Sequence, residues 1–239
     1  TLDETDDPVR TNAEAGYFYL GTTSHWADSY FMQPFYSAFG FTPFGPNLDD
    51  PSAVGYANAV NALTFFENDL KPVVAGSGQT DSTSGAANFE AGNIPYVIGG
   101  PWNHEAFLNA SVNYGVAPMP TINGQAMNTF AGAMMAAVYK YSDNSEDAIK
   151  FVEFLTTDIA MELMYEYKTK LPALESDLLP NIAGVAEDEL LLAMAEQLKT
   201  SVPMPTIPQV TYYWGPGETM IKDVWNNDVD PATAAATAE

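Results

Sequence analysis

No cysteine occurs in these 239 residues, so no disulfide can staple the chain and no thiolate within it can hold a metal. The fold must therefore rest on buried apolar surface. At 46% hydrophobic and 13% aromatic residues, the chain has enough of it for one large domain or two lobes. His25 and His104 are the only histidines and no HExxH occurs, which leaves zinc and non-haem iron chemistry without a ligand set. The D-x-[DN]-x-[DN]-G calcium loop is missing, as is the G-x-S-x-G of a serine hydrolase. No metal, no cofactor and no catalytic residue is expected.

Charge narrows the ligand. Eight Lys and Arg stand against 31 Asp and Glu, a formal net charge of −23, and Arg10 is the only arginine. Such a surface repels nucleic acid and anionic membrane and gives a phosphate or dicarboxylate little to hold. A neutral or cationic ligand fits better. The opening "TLDETDDPVR" is polar and is not a signal peptide, which suggests a fragment or a processed chain. The uncharged run 106–139 is broken by Asn, Pro and Gly, so it does not read as a membrane-spanning helix of ~20 residues.

Helical and strand periods alternate along the chain. "YFYLG" (17–21), "IPYVIG" (94–99) and "VNYGVAP" (112–118) read as strands, and "GSGQTDSTSG" (76–85) as a loop. Asp50-Pro51 predicts a capped helix through Asn68, with Val54, Ala57, Val60 and Leu63 on one face. The apolar run 131–141 fits either strand or helix. Asp143 or Asn144 caps a clear helix in which Ala148, Phe151, Val152 and Leu155 recur at i, i+3, i+4 and i+7. A second helix follows over 156–168, Leu191, Met194 and Leu198 mark a third, and Asp230-Pro231 opens the last. Mixed elements without strict βαβ order indicate an α/β fold of complex topology. Trp225, on one helical face with Ile221 and Val224, is assigned to the core.

One short stretch raises a chemical question. "VIGGPWNHEAF" (97–107) sets Trp102 at a turn, where burying an indole is hard. The ring either plugs a local gap or serves as a platform for something flat and partly apolar.

Four segments carry a resemblance: "FEAGNIPYVIGGPW", "VNYGVAPMPTINGQ", "AIKFVEFLTT" and "MPTIPQVTYYWGPGETM", in that order. Together they resemble the C-terminal two-thirds of the extracytoplasmic sugar-binding proteins of ABC importers, of the maltose/maltodextrin type. The resemblance runs from about Gly16 to the end. It implies a two-lobed, type II periplasmic-binding fold with hinge crossovers, here lacking the N-terminal part of the first lobe. On that pattern residues 1–118 and 173–239 belong to the C-terminal lobe and 119–172 to the N-terminal lobe. Segment 119–172, without partner strands, would then expose a large apolar surface and leave the chain alone poorly stable.

The resemblance also implies site residues. Trp102 matches the stacking tryptophan of the family's GPW motif, and His104 stands where this type often carries a second aromatic. Tyr213 and Trp214 match an aromatic pair near the C-terminus, with Trp214 the main platform. Asp28, Ser29 and Tyr30 fall on an acid-proline-tyrosine segment that contacts sugar. Two departures reshape this end of the cleft: Gly215 replaces a tyrosine, and Glu218 stands where the maltose type has an arginine. These residue types suit a sugar, whose C–H face stacks on an aromatic ring and whose hydroxyl rim bonds to carboxylates.

The expected protein is thus a non-enzymatic receptor, monomeric when complete. It would bind a neutral oligosaccharide outside the cytoplasmic membrane and deliver it to the membrane permease of an ABC importer, free in a periplasm or held by a lipid anchor written elsewhere. The alternatives are a glycoside hydrolase, which needs two carboxyls about 5–10 Å apart and for which Asp28, Glu105 and Glu218 are candidates, or a carbohydrate-binding adhesion module.

Overall fold

The computed structural model describes residues 28–52, 54–71, 84–92, 96–168, 170–173, 182 and 184–239. The expected strand 17–21, His25, Trp26 and most of the loop 76–85 lie outside these residues. The chain divides into two compact units: Thr1–Asn113 with Met119–Phe130 and Val202–Glu239, and Tyr114–Pro118 with Ala131–Ser201.

The larger unit is built on helices. Helix α1 (Ser29–Ala38) starts where Asp28, in extended conformation, accepts the Tyr30 N–H at 2.7 Å, satisfying one of the free donors of the first turn. The next helical stretch begins later than its sequence suggests. Asp50 closes a turn instead, accepting from the Ser52 N–H and hydroxyl at 2.9 and 2.6 Å. Gly55 then takes φ +72°, a left-handed conformation that cannot belong to a right-handed helix. Beyond it come a 3₁₀ turn (Tyr56–Ala59), α2 (Val60–Phe65) and a π turn (Phe66–Leu70). Helix α3 (Ser84–Glu90) follows, and the 3₁₀ turn Pro101–Asn103 leads into α4 (His104–Asn109).

Strands are short. β1 (Thr121–Ile122) and β2 (Gln125–Ala126) form a hairpin across Asn123-Gly124, both at positive φ, the pairing a tight antiparallel turn demands. β3 (Phe130–Ala131) pairs with β4 (Val202–Pro203), the Val202 N–H donating to the Thr129 carbonyl at 2.9 Å. Of the predicted strands 94–99 and 112–118, no described residue lies in a ladder. Of the ambiguous run 131–141, only Ala131 lies in a strand.

In the smaller unit, α5 (Ser145–Leu155) and α6 (Asp158–Lys168) precede a 3₁₀ turn (Val185–Glu187) and α7 (Glu189–Leu198). Asp188 caps α7 by accepting the Leu191 N–H at 3.1 Å, and its other oxygen accepts the Tyr165 hydroxyl at 3.2 Å. Met161, Ile182, Val185 and Leu191 form a small core. Helix α5 has the predicted apolar period, yet none of its residues is buried: Phe151 is 60% exposed, and Met135 ahead of the helix 92%.

The chain then returns to the larger unit with α8 (Thr211–Asn227) and α9 (Pro231–Ala238), the latter capped by Asp230, which accepts the Thr233 N–H at 3.0 Å. Helix α8 runs straight through Gly215-Pro216-Gly217, residues that ordinarily end helices. Tertiary packing overrides that propensity. Tyr213, Gly217, Met220, Ile221, Val224 and Trp225 recur on one face and are all buried. They close a core with Met32, Phe35, Tyr36, Tyr56, Leu63 and Phe66, in which Trp225 meets Phe66 edge-on at 6.2 Å. No helix among the described residues is long and apolar enough to cross a membrane.

Two kinds of outcome, one from substitutions and one from pH, test this architecture. Leu191→Ala empties part of a small, fully buried cluster and should cost about 2–4 kcal/mol of stability. Phe151→Ser, at an exposed site, should change it by less than about 0.5 kcal/mol while lowering self-association. Thermal melts and sedimentation read both. The second outcome concerns the phenols of Tyr36 and Tyr213, which complete burial holds well above their ordinary range. The unfolded chain therefore releases these protons first. Stability from this source is fully present below about pH 10 and should fall as pH rises beyond it, steeply enough to show in melts between about pH 9 and 11.

Candidate functional site

Helices α1 and α8 converge on a pocket of about 330 Å³ lined by Asp28, Ser29, Tyr30, Trp214 and Glu218. All five were singled out from the sequence, and the fold brings them to one place from two segments some 185 residues apart along the chain. Local rules explain each position. Asp28 is the α1 cap, with one carboxylate oxygen held by the Tyr30 N–H. Ser29 and Tyr30 are the first two helical residues, so one points into the core and the next sideways. Trp214 and Glu218 sit four residues apart on α8, which sets them on one face a turn from each other. Glu218 is paired with Lys222 one turn further on.

The aromatic residues are mutually braced. Tyr30 lies 6.0 Å from Phe130, and Phe130 meets Trp214 edge-on at 6.3 Å, so a buried phenylalanine of β3 underlies both rings. Trp214 also meets Tyr213 edge-on at 5.2 Å. Tyr213 is fully buried; it stacks on Tyr56 with ring centroids 5.4 Å apart and planes 6° from parallel, and its carbonyl accepts the Tyr56 hydroxyl. Its place is beneath the pocket, supporting Trp214. The Tyr30 phenol is raised above its ordinary range, by burial first and by the Asp28 carboxylate second, so it stays protonated and able to donate.

Trp102 flanks this group, 53% exposed, edge-on to Tyr30 at 6.4 Å and to Phe31 at 6.0 Å. The two glycines before it explain how the indole is seated. A Cβ on Gly100 would overlap the indole, standing 2.6 Å from Cζ2, and one on Gly99 would stand 2.6 Å from Asn103 Oδ1. That oxygen accepts the Gly100 N–H at 3.3 Å. The bare backbone is a seat on which the ring lies while one face stays open. His104 opens α4, half-buried, and is not among the residues lining the pocket.

Phe130 and Lys222 were not anticipated. Phe130 sits in an uncharged, featureless run whose position beside Tyr30 depends on long-range pairing with β4, and nothing local announces it. Lys222 had a signal, a Glu–Lys spacing of four residues on a helix.

Chemically, the pocket offers two aromatic surfaces, one hydroxyl donor that titrates far above neutral pH, and two carboxylates already oriented by partners. That set is chemically suited to an uncharged polyol ring, with aromatic surfaces for C–H faces and carboxylates for hydroxyls.

Comparison with known proteins agrees with this chemistry. Residues 1–162 match the family model described as bacterial extracellular solute-binding protein. A maltooligosaccharide ABC transporter solute-binding lipoprotein of Streptococcus pneumoniae is 32% identical over 225 residues, 89% of this chain and 51% of its own. A galactooligosaccharide-binding protein of Bacillus subtilis is 30% identical over 98% of this chain and 57% of its own. The chain thus spans little more than half the length of these relatives. Among solved structures, the Streptococcus pneumoniae protein MalX in complex with maltopentaose superposes with a TM-score of 0.79 at 28% identity, covering 89% of this chain and 58% of that one. A maltose-maltodextrin binding protein of Alicyclobacillus acidocaldarius gives 0.80 at 27%, covering 94% and 60%.

The seat of Trp102 can be tested without a ligand. Gly100→Ala should displace the indole and change near-ultraviolet circular dichroism and tryptophan emission, with stability altered by less than about 1–3 kcal/mol, the usual cost of local overpacking. Unchanged spectra would show that the ring does not rest on this backbone.

Proposed function

Because the chain belongs to the bacterial extracellular solute-binding protein family, with the type II periplasmic-binding fold of its solved relatives, we propose that it binds a neutral oligosaccharide outside the cytoplasmic membrane and delivers it to the permease of an ABC importer. The observation that carries this reading is the convergence of Tyr30 and Trp214 with Asp28, Ser29 and Glu218 in one solvent-open pocket on rigid helices. The ligand class follows the relatives, maltooligosaccharides or galactooligosaccharides, with Trp102 as a second stacking surface beside Tyr30 and His104 as a polar group near it. A lipid anchor like that of the Streptococcus pneumoniae relative belongs to the same reading.

A hydrolase reading gains one observation, since Asp28 and Glu218 do share the pocket. It loses on their partners. Asp28 caps α1 and Glu218 pairs with Lys222, so each carboxylate already has a partner. The binding reading is therefore the better supported.

Calorimetric titration of the gene product with a panel of neutral oligosaccharides tests it. One sugar class should bind with micromolar or tighter affinity, and Trp214→Ala and Trp102→Ala should each weaken that binding, roughly 10-fold or more for the loss of a stacking surface. No reducing ends should appear on prolonged incubation. Silence across the panel, or affinity untouched by both substitutions, would overturn the reading.

A further inference from the structure

Helix α8 carries two glycines around Pro216, and their surroundings are opposite. A Cβ built on Gly215 meets no atom within 4 Å. A Cβ built on Gly217 would collide with Ser29 Oγ, stand 2.8 Å from the Tyr56 hydroxyl oxygen and 3.3 Å from Ser29 Cβ. Gly217 is buried one turn after Tyr213 on the core face of α8, and it is immediately followed by the pocket residue Glu218. Ser29, its nearest neighbour, lines the same pocket from α1. The two pocket walls therefore touch where one of them has no side chain.

We propose that Gly217 sets the width of the pocket, acting as a positioning residue: its missing Cβ lets α8 seat directly on Ser29 and Tyr56, and so fixes how far Trp214 and Glu218 stand from Asp28 and Tyr30. This rests on the proposed binding function for its consequence, though not for its geometry. The seat has no easy relief. The serine hydroxyl can rotate away, but Ser29 Cβ cannot, and the Tyr56 ring is clamped by stacking on Tyr213 and by its hydrogen bond to the Tyr213 carbonyl. A methyl at 217 must push α8 outward rather than push Tyr56 aside. Packed interiors transmit such a displacement instead of absorbing it. A site made of a stacking ring on one wall and hydroxyl acceptors on both then loses its fit to a ring of fixed thickness.

The test pairs a structural with a functional measurement on Gly217→Ala, Gly217→Ala/Tyr56→Phe and wild type. In a crystal structure of Gly217→Ala, α8 should stand about 1 Å further from Ser29 at residue 217, and oligosaccharide affinity should fall about tenfold or more, since a misplacement of about 1 Å in a constellation of this kind can cost as much as ~100-fold. Cooperative melting should persist. Removing the tyrosine hydroxyl in the double variant should return α8 toward α1 and recover most of the affinity, a rescue that general destabilisation would not give. Unchanged spacing with Ser29 simply rotated, or lost affinity that the double variant fails to recover, would overturn the proposal. If wild type binds no sugar, the proposed function fails, and the helix displacement alone still decides whether Gly217 sets the width.

Discussion

The stack of Tyr56 on Tyr213 is the contact on which the rest of the larger unit depends. It joins the 3₁₀ turn at Tyr56–Ala59 to α8 across 157 residues of sequence, and the Tyr56 hydroxyl closes it by donating to the Tyr213 carbonyl. From that fixed point everything nearby takes its position. Tyr213 props Trp214, Gly217 rests on Ser29, and the face continues through Met220, Ile221 and Val224 into the main core. Aromatic pairs of this geometry contribute about 0.5–1.5 kcal/mol beyond the area they bury. The positional consequence matters more than the energy. A binding wall carried by a helix whose inner face is locked has little freedom to drift.

Charge plays a different part. Eight cationic residues cannot neutralise 31 acids, and exposed pairs such as Lys222–Glu218 or Lys199–Glu196 each contribute only about 0–1 kcal/mol. Their effect at the pocket is orientation. Lys222 draws the Glu218 carboxylate along the helix, and the Tyr30 N–H fixes one oxygen of Asp28, so both acceptors are presented in set directions before any ligand arrives. Among the described residues no cation lines the pocket, which fits the proposed uncharged ligand.

Much of the site was legible in the sequence because it is written in adjacent residues. Asp28-Ser29-Tyr30, Trp102 after Gly-Gly-Pro, and Tyr213-Trp214 are each contiguous, so motif and chemistry travel together. Helices with clean periodicity, α5 and α7, were equally plain. What escaped was set by residues far apart. The start of the helical stretch near Tyr56 turned on Gly55 adopting a left-handed conformation, a choice that glycine permits but does not announce. Gly215-Pro216-Gly217, which by local propensity would end a helix, lies instead within α8. The buried period from Tyr213 through Gly217 to Met220 was already in the sequence, yet it could be trusted only once a partner for that face was known. Strands at 94–99 and 112–118 depended in the same way on neighbours that local pattern cannot supply.

The two compact units differ in how completely they have buried their apolar residues, and that difference bears on what the pocket can do. Around α1, α8 and α9 most of the large side chains are inside, with Tyr212 of α8 exposed. In the smaller unit Met134, Met135, Phe151, Ile159 and Tyr167 remain accessible. The candidate pocket belongs wholly to the well-packed unit, so its geometry does not wait on further burial elsewhere. A pocket open to solvent nevertheless covers only part of a sugar, whereas tight small-molecule sites enclose about 70–90% of the ligand surface. On the proposed function, Trp214 and Tyr30 would stack on one face of the sugar and Asp28 and Glu218 would accept its hydroxyls. A wall of fixed width then has a second consequence. On the proposed function, it settles which ring is held flat and in register, so discrimination between sugars would be made at this rigid wall.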